Sequence, residues 1–284
     1  MASGLASIIA RPGPLTRGGL FAGLCVLGAA NGVADRITSS VSASGPIGAI
    51  LETCGISVLV WVAFWMCPSL MLEAQEGPPT RTDFAVAVGA FGTILLPMAW
   101  PSWIALTGIA IYLLGARPVS ADGHQDPLRR AAWILLATTT VMYWGRLSLI
   151  ILGEFLLTFD ASLVGLATGS PHSGNTVRMA DGEYLWVEEG CSSLSGISLV
   201  ILCWTLVSQW RALPWSPVNM IWCGFACVAV SLVNVGRMSL MVLFPDRYDL
   251  IHGPIGAAIA GWVTLGLIVS ICLRGVRNRS CAHA

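Results

Sequence analysis

Long apolar runs alternate with short polar segments along almost the whole chain. A helix needs about 20 mostly apolar residues to cross the hydrocarbon core of a bilayer. Runs near that length predict eight membrane-spanning helices, at residues 18–34, 46–71, 83–99, 101–116, 131–157, 192–210, 216–241 and 253–273. The third and fourth runs meet at a predicted turn over residues 99–102, as a helical hairpin or a re-entrant pair. The predicted fold class is an all-α polytopic membrane protein with one integral-membrane domain, residues 1–284.

The longest polar interruption, residues 158–190, is predicted to be a loop that contains a β-hairpin. Residues 176–187 alternate in polarity around Asp181 and Gly182, a dipeptide typical of a hairpin turn. Tyr184 and Trp186 suit the headgroup level of a membrane. Two interpretations stay open: an ordinary amphipathic hairpin at the interface, or a wall of a substrate groove that offers an edge strand to an extended peptide.

Composition supports the membrane assignment and excludes several other classes. The 284 residues are 55% hydrophobic and only 11% charged, whereas a soluble domain carries about 25% charged residues. A net charge of zero gives no electrostatic basis for binding nucleic acid. None of the nine cysteines has zinc-ligand spacing, and no metal or organic cofactor is expected.

Arginine placement predicts the orientation of the chain in the membrane. With the N-terminus inside, the inner segments hold ten arginines and the outer segments three, in agreement with the positive-inside rule. Both termini are then cytoplasmic, and the loop at 158–190 lies at the outer face of a bacterial cytoplasmic membrane. The first apolar run resembles a signal peptide in part, but an uncleaved first helix is the preferred interpretation in a polytopic chain.

Four ionisable residues fall within the apolar runs: Glu52, Arg146, Glu154 and Arg237. Each costs about 2.5–3.5 kcal/mol on insertion scales, so such residues indicate function or internal pairing. Asn234 lies three residues before Arg237, on the same helix face, and its amide is predicted to hold the guanidinium. A structural ion pair between Arg237 and either Glu52 or Glu154 is compatible with that role, which makes Glu154 a candidate supporting residue.

Cys191 stands where the polar loop meets the sixth apolar run, at a predicted helix N-terminus. Free N–H groups and the helix dipole favour a thiolate there, while Glu188 and Glu189 oppose it. His252 lies two residues before Pro254, which suits the first turn of the last helix. The positive end of that helix favours a neutral imidazole, the form that can act as a base.

These three residue types together predict acyl transfer. The orientation brings Cys191, Arg237 and His252 to the outer ends of three helices. A thiol nucleophile needs a base, for which His252 is suited, and the tetrahedral oxyanion needs positive charge or N–H donors. Arg237 can supply the charge, and the N–H groups that follow Cys191, starting at Ser192, can supply donors. A peptide carbonyl would then pass through a thioester.

This order of residues resembles the exosortase/archaeosortase family. Cys191 and Ser192 open one helix, Asn234 and Arg237 form Asn-x-x-Arg in the next, and His252 opens the last. The resemblance covers roughly residues 182–256. It implies a membrane cysteine transpeptidase of about eight helices that recognises C-terminal sorting signals of the PEP-CTERM type. Such a signal has a short motif, a transmembrane helix and a basic tail, and is cleaved at the outer face.

One position departs from the family pattern. The family usually has glycine two residues after the cysteine, where this chain has Ser193, and the next glycine is Gly196. The substrate motif, the acceptor nucleophile and the oligomeric state therefore stay open. Two other hypotheses also remain: a non-enzymatic transporter or assembly factor for export, and an inactive relative that binds sorting signals.

Overall fold

The computed structural model describes residues 15–74, 77–116, 126–213 and 216–280. Two of the ten arginines on which the predicted orientation depends, Arg11 and Arg117, lie outside these ranges. The helices are α1 Arg17–Leu51, α2 Val58–Glu73, α3 Arg81–Ile94, α4 Ala99–Gly115, α5 Pro127–Thr139, α6 Gly145–Thr168, α7 Ser193–Trp210, α8 Pro217–Leu243, α9 Tyr248–His252 and α10 Pro254–Ser280. The strands are β1 His172–Ser173, β2 Thr176–Arg178 and β3 Tyr184–Trp186.

The chain divides into two compact units, residues 1–136 and 137–284, and the boundary falls within α5. In the first unit, α1 packs against α2, α3 and α4. In the second unit, α8 packs against α6, α7 and α10, and the three strands lie on α6. All the residues predicted to act with Cys191 belong to the second unit, except Glu52.

Apolar helices long enough to cross a membrane account for much of the described structure. Five segments qualify by length and composition: Arg17–Leu51, Pro127–Thr168, Ser193–Trp210, Pro217–Leu243 and Ile255–Gly275. The helices α2 and α4 are apolar but shorter. An all-α membrane-type fold therefore agrees with the prediction, while five helices, rather than the predicted eight, meet the length and composition criteria within the described ranges.

The segment predicted to connect the first two membrane-spanning helices is itself helical. Residues 35–45 were expected to link two spans, but α1 continues through them to Leu51, with a kink where Gly45 adopts a φ of 73° and Pro46 follows. A short 3-10 turn, Thr53–Gly55, then interrupts the run predicted as one helix at 46–71. The segment between the two apolar runs is more polar, yet its Ser44 hydroxyl donates to the Ser40 carbonyl within the helix, at 3.0 Å.

The turn predicted at residues 99–102 lies four residues earlier. Residues 99–102 form the start of α4, and the chain turns between Ile94 and Ala99. Asn31 of α1 stabilises this turn, since its amide nitrogen is 2.9 Å from the Ile94 carbonyl and 2.9 Å from the Ser102 hydroxyl. A contact from a distant helix, which the local sequence does not reveal, therefore stabilises the turn at this position.

The helix before the polar loop is also longer than predicted. A π-helical segment, Thr140–Trp144, joins α5 to α6, and α6 ends at Thr168 rather than at residue 157. Gly169 closes it with a left-handed φ of 69°. The predicted loop at 158–190 therefore begins eleven residues later, because residues 158–168 continue to place apolar side chains on the buried face of α6.

The predicted hairpin is confirmed and gains a third strand. β2 and β3 pair antiparallel with Val177 opposite Leu185, and Gly182 takes a φ of 94° in the turn. β1 pairs antiparallel with the other side of β2, which gives the order β1-β2-β3. β1 has only two residues, too few for a sequence pattern to show.

The sheet covers an apolar cluster of the second unit. Val177, Leu185 and Val187 point into this cluster and are almost fully buried. The cluster also contains side chains of α6 and α8: Leu157, Ala161, Val164, Val235, Met238, Met241 and Val242. Burial of these side chains fixes the sheet on one end of the unit, and the chain leaves β3 directly towards Cys191.

Candidate active site

Cys191 lies at the margin of the apolar cluster, together with two residues near α9. Cys191, Tyr248 and Ile251 are all partly buried and pack against the cluster. Cys191 ends a 3-10 turn, Glu189–Cys191, and its N–H donates to the Glu188 carbonyl at 2.9 Å. The thiol therefore precedes α7 by two positions, and α7 begins one residue later than the predicted start at residue 192.

A buried carboxylate that sequence analysis missed stabilises the start of α7. Asp160 of α6 is only 3% exposed. Its Oδ2 atom accepts from the Ser192 hydroxyl at 3.2 Å and from the Ser193 N–H at 3.0 Å. The sequence did contain a signal, an acidic residue among apolar ones, but placing residue 160 in a polar loop made that charge look ordinary.

The main-chain N–H groups after Cys191 are already bonded. The Ser192 N–H donates to the Glu189 carbonyl at 3.2 Å, and the Ser193 N–H donates to Asp160. The Leu194 N–H donates to the Ser192 hydroxyl, which caps α7. The predicted oxyanion donors at these positions are therefore engaged, and a developing negative charge at Cys191 must find another partner.

Asn234 of α8 holds the Cys191 turn rather than the guanidinium of Arg237. Its Nδ2 atom donates to the Cys191 carbonyl at 2.6 Å and lies 3.2 Å from the Ser193 hydroxyl. Ser193, the residue that departs from the family pattern, thus contributes its side chain to this contact. The amide fixes the backbone on both sides of Ser192 against α8.

Arg237, one turn further along α8, holds the end of α9. Its Nε atom donates to the Ile251 carbonyl at 3.3 Å, and one terminal nitrogen donates to the His252 carbonyl at 3.4 Å. The remaining guanidinium N–H groups have no partner in the described ranges, and the side chain is partly buried. Arg237 and Asn234 together tie the Cys191 turn and the His252 segment to one helix.

The imidazole of His252 is positioned by ring stacking rather than by a side-chain hydrogen bond. The imidazole stacks on the Tyr248 ring with the centroids 5.0 Å apart and the planes 9° apart. The two residues are four apart on α9, and so share a face of that helix. His252 is exposed, and no hydrogen bond joins its imidazole to Cys191 or to another described residue.

One cation, Arg237, and two carboxylates, Glu188 and Asp160, act on the Cys191 thiol. Burial raises the pKa of the Cys191 thiol above its ordinary value, and the guanidinium of Arg237 opposes that rise. The negative charges of Glu188 and Asp160 add to the rise in the pKa of the thiol. The neutral thiol is therefore the favoured form at neutral pH, and a nucleophilic reaction at Cys191 requires a base.

Tyr248 is a second residue of the site that sequence analysis did not single out. Burial raises the pKa of the Tyr248 hydroxyl, and the charges of Cys191 and Glu188 raise it further, while Arg237 opposes the shift. The same charges act on Tyr248 and on Cys191 because the two residues are neighbours. The only signal in the sequence was the spacing of four between Tyr248 and His252 on one helix turn.

Glu154 does not join this group. Its side chain is exposed on α6, and it makes no ion pair or hydrogen bond with any described residue. Asp160 lies six residues later, about 9 Å along the helix axis, and is the carboxylate that reaches the Cys191 turn. Arg146, also on α6, is likewise exposed.

Comparison with known proteins does not assign a function to this site, so its chemistry is inferred from its own residues. No family model, curated protein or solved structure matches this chain. A half-buried thiol lies beside an arginine with free donors and near a stacked Tyr248–His252 pair. Such a group of residues is suited to attack on a carbonyl, with the positive charge near the developing oxyanion.

Proposed function

We propose that the chain is a membrane-embedded cysteine protease or transpeptidase that cleaves C-terminal sorting signals of exported proteins. One observation supports this best. Asn234 and Arg237, one turn apart on α8, bond respectively to the carbonyl of Cys191 and to the carbonyls of Ile251 and His252. Two polar residues of a membrane-type helix thus hold the thiol segment and the imidazole segment in one site.

The setting follows from the sequence pattern. The chain lies in a bacterial cytoplasmic membrane with eight spans, of which α2, α3 and α4 are the shorter ones. The arginine asymmetry supports cytoplasmic termini and places the Cys191 end at the outer face. The substrate reaches that face as an exported polypeptide, still anchored by its own C-terminal transmembrane helix.

Formation of the acyl-enzyme requires two proton transfers and the exchange of a C–N bond for a C–S bond. His252 removes the thiol proton, and the sulfur of Cys191 attacks the carbonyl carbon of the scissile peptide bond. The oxyanion of the tetrahedral intermediate is stabilised by the free guanidinium N–H groups of Arg237. Collapse of the intermediate breaks the C–N bond, and the amine leaves with the proton held by His252.

Resolution of the acyl-enzyme repeats these steps in reverse. Water or another nucleophile, such as an amine or hydroxyl of a lipid or saccharide, attacks the thioester carbonyl. His252 takes the proton of that nucleophile and returns a proton to the departing thiolate of Cys191. The exported protein is then released or joined to the acceptor, while its C-terminal helix stays in the membrane.

The test compares two cysteine variants in the native cell. An exported reporter with a motif, a transmembrane helix and a basic tail should remain full length in the Cys191→Ala strain. The Cys223→Ala strain, which alters a partly exposed cysteine of α8 outside the site, should process the reporter normally. Immunoblots of membrane and external fractions measure the precursor.

Either of two outcomes would contradict the proposal. Normal processing in the Cys191→Ala strain would exclude Cys191 as the nucleophile and favour the transporter or assembly-factor hypothesis. Retained binding of the reporter with no cleavage by the unaltered protein would favour an inactive relative that only binds signals.

A further inference from the structure

The third strand of the sheet has a free edge. The Met179 N–H donates to the Glu183 carbonyl at 2.8 Å, and the Val187 N–H donates to the Asn175 carbonyl at 2.9 Å. The main-chain N–H and C=O groups of successive residues alternate in direction along a strand, so those of residues 183, 185 and 187 point towards β2. The N–H and C=O groups of Tyr184 and Trp186 consequently point away from the sheet.

The side chains beside this edge leave it open. Leu185 and Val187 point into the apolar cluster, whereas Tyr184 and Trp186 are 59% and 65% exposed. β2 is the only strand that pairs with β3 among the described residues. A second extended backbone can satisfy the free edge groups, because their spacing along the strand matches its own.

The free edge leads straight to the candidate nucleophile. The Cys191 N–H is bonded to the Glu188 carbonyl, and Glu188 is two residues beyond Trp186. Two residues of extended chain cover about 7 Å. A peptide that continues past Trp186 by two or three residues therefore has the length needed to reach the Cys191 segment.

Unpaired negative charge surrounds the same edge. Four acidic residues within nine positions are exposed: Asp181, Glu183, Glu188 and Glu189. None of their carboxylates forms an ion pair with a residue in the described ranges. A basic side chain on a bound peptide would find partners here, whereas an acidic one would be repelled.

We propose that β3 binds the substrate by strand addition. An extended segment of the exported polypeptide with a basic side chain pairs with Tyr184 and Trp186, and so brings its scissile carbonyl to Cys191. The segment lies on the N-terminal side of the scissile bond, since the part beyond that bond enters the membrane. It therefore runs parallel to β3, and this inference rests on the proposed function for the identity of the peptide.

The first measurement uses probes in place of the unknown substrate. A five-residue peptide of alternating valine and threonine, with a C-terminal vinyl sulfone, alkylates a thiol by addition across its double bond. Two versions carry N-methyl groups on one or the other alternating set of residues. Mass spectrometry of the peptide that contains Cys191, in the full-length protein in nanodiscs, gives the labelling rate.

Strand addition predicts that the two methylated probes label Cys191 at different rates. One methylated set removes donors that face β3 and should slow labelling by roughly three- to tenfold for each lost hydrogen bond. The other set faces away and should leave the rate unchanged. Equal rates for both sets, or peptide probes no faster than methyl vinyl sulfone, would overturn the inference.

A matched pair of variants tests the edge from the protein side. Trp186→Ala and Trp186→Pro both remove the indole, but only Trp186→Pro also removes the main-chain N–H. An edge strand tolerates proline at a position whose N–H faces away from the sheet. Labelling by the unmethylated probe should be roughly three- to tenfold slower in Trp186→Pro than in Trp186→Ala. Equal rates in the two variants would contradict strand addition.

Small-reagent and charge controls separate the possible failures. Iodoacetamide should label Cys191 equally in both Trp186 variants, which shows that the site is intact. Should Trp186→Pro not fold, the methylated probes on the unaltered protein still decide the question. Replacing one threonine of the probe by arginine should speed labelling at low salt, and replacing the same threonine by glutamate should slow it. Equal rates or the opposite order would exclude the basic preference.

Loss of strand addition and loss of the proposed function give different results. Labelling that does not depend on the edge, together with failed reporter cleavage in the Cys191→Ala strain, would support the proposed protease and exclude strand addition. Labelling that depends on the edge, together with normal reporter cleavage in that strain, would support peptide binding at β3 and exclude the proposed protease function.

Discussion

Each of the two units contains a polar cluster among apolar helices, and the clusters differ in how completely they are bonded. In the first unit, Asp83 is fully buried and its carboxylate accepts from Arg17 at 2.8 Å and from the Tyr112 hydroxyl at 2.9 Å. The Thr80 N–H and hydroxyl donate to the other oxygen, as part of a capping box on α3. Every acceptor site of this carboxylate has a partner.

The cluster of the second unit leaves reactive groups available. Asn234 and Asp160 have bonded partners, but the thiol of Cys191, the imidazole of His252 and several N–H groups of Arg237 do not bond to described residues. A buried network that is fully bonded contributes to stability, whereas one with available groups can bind and react. The Asp83 cluster therefore has the bonding of a structural network, and the available groups of the Cys191 cluster support the proposed function.

Removing the carboxylate of the first cluster should have the largest effect on stability. Asp83→Ala removes the buried carboxylate that accepts from the Arg17 guanidinium and the Tyr112 hydroxyl, and breaking such a pair should cost about 3–5 kcal/mol. The reactivity of Cys191 towards iodoacetamide should stay unchanged at temperatures where the protein remains folded. Thermal unfolding followed by tryptophan fluorescence measures the first effect, and mass spectrometry of the Cys191 peptide measures the second.

Asp181→Ala is the matched control, because Asp181 is an exposed acid in the hairpin turn. Its carboxylate accepts one exposed hydrogen bond, from the Glu183 N–H at 3.0 Å, so its effect on the free energy of unfolding should stay at or below about 1 kcal/mol. A similar loss of stability in both variants would remove the distinction between the clusters.

Two carboxylates of α6 should differ in the same experiment. Asp160→Ala removes the acceptor of Ser192 and Ser193 and should cost about 1–3 kcal/mol. Glu154→Ala, on the exposed face of the helix, should change the free energy of unfolding by less than about 0.5 kcal/mol. If Glu154→Ala were the more harmful variant, Glu154 rather than Asp160 would support the site, as the sequence had indicated.

The smallest expected effects are opposite shifts in the titration of Cys191. Arg237→Gln removes the positive charge that lowers the pKa of the thiol, so the midpoint of labelling against pH should rise. Glu188→Gln removes a negative charge that raises this pKa, so the midpoint should fall. Iodoacetamide labelling of Cys191 over a pH series measures both, and shifts in the same direction would show that Arg237 and Glu188 do not act through charge.

Local pattern was sufficient for features that depend on nearby residues. The hairpin followed from alternation around Asp181 and Gly182, and the apolar lengths of α7 and α8 predicted those helices to within a few residues. Pattern failed where distant contacts decide. Asn31 bonds to the turn before α4, and apolar residues such as Ala161 and Val164 are buried on α6 beyond the predicted boundary.

The sequence by itself determined the class of the fold and the types of residue that could react. Apolar composition requires a membrane-type helical protein, and the order of Cys191, Asn234, Arg237 and His252 is visible without coordinates. Only the tertiary structure decided which partner each polar group takes. Asn234 bonds to the Cys191 turn, the N–H groups after Cys191 are engaged, and Tyr248 stacks on His252. Hydrogen bonds and ring contacts form between atoms that packing brings together, so residues far apart in sequence acquire partners that spacing alone does not specify.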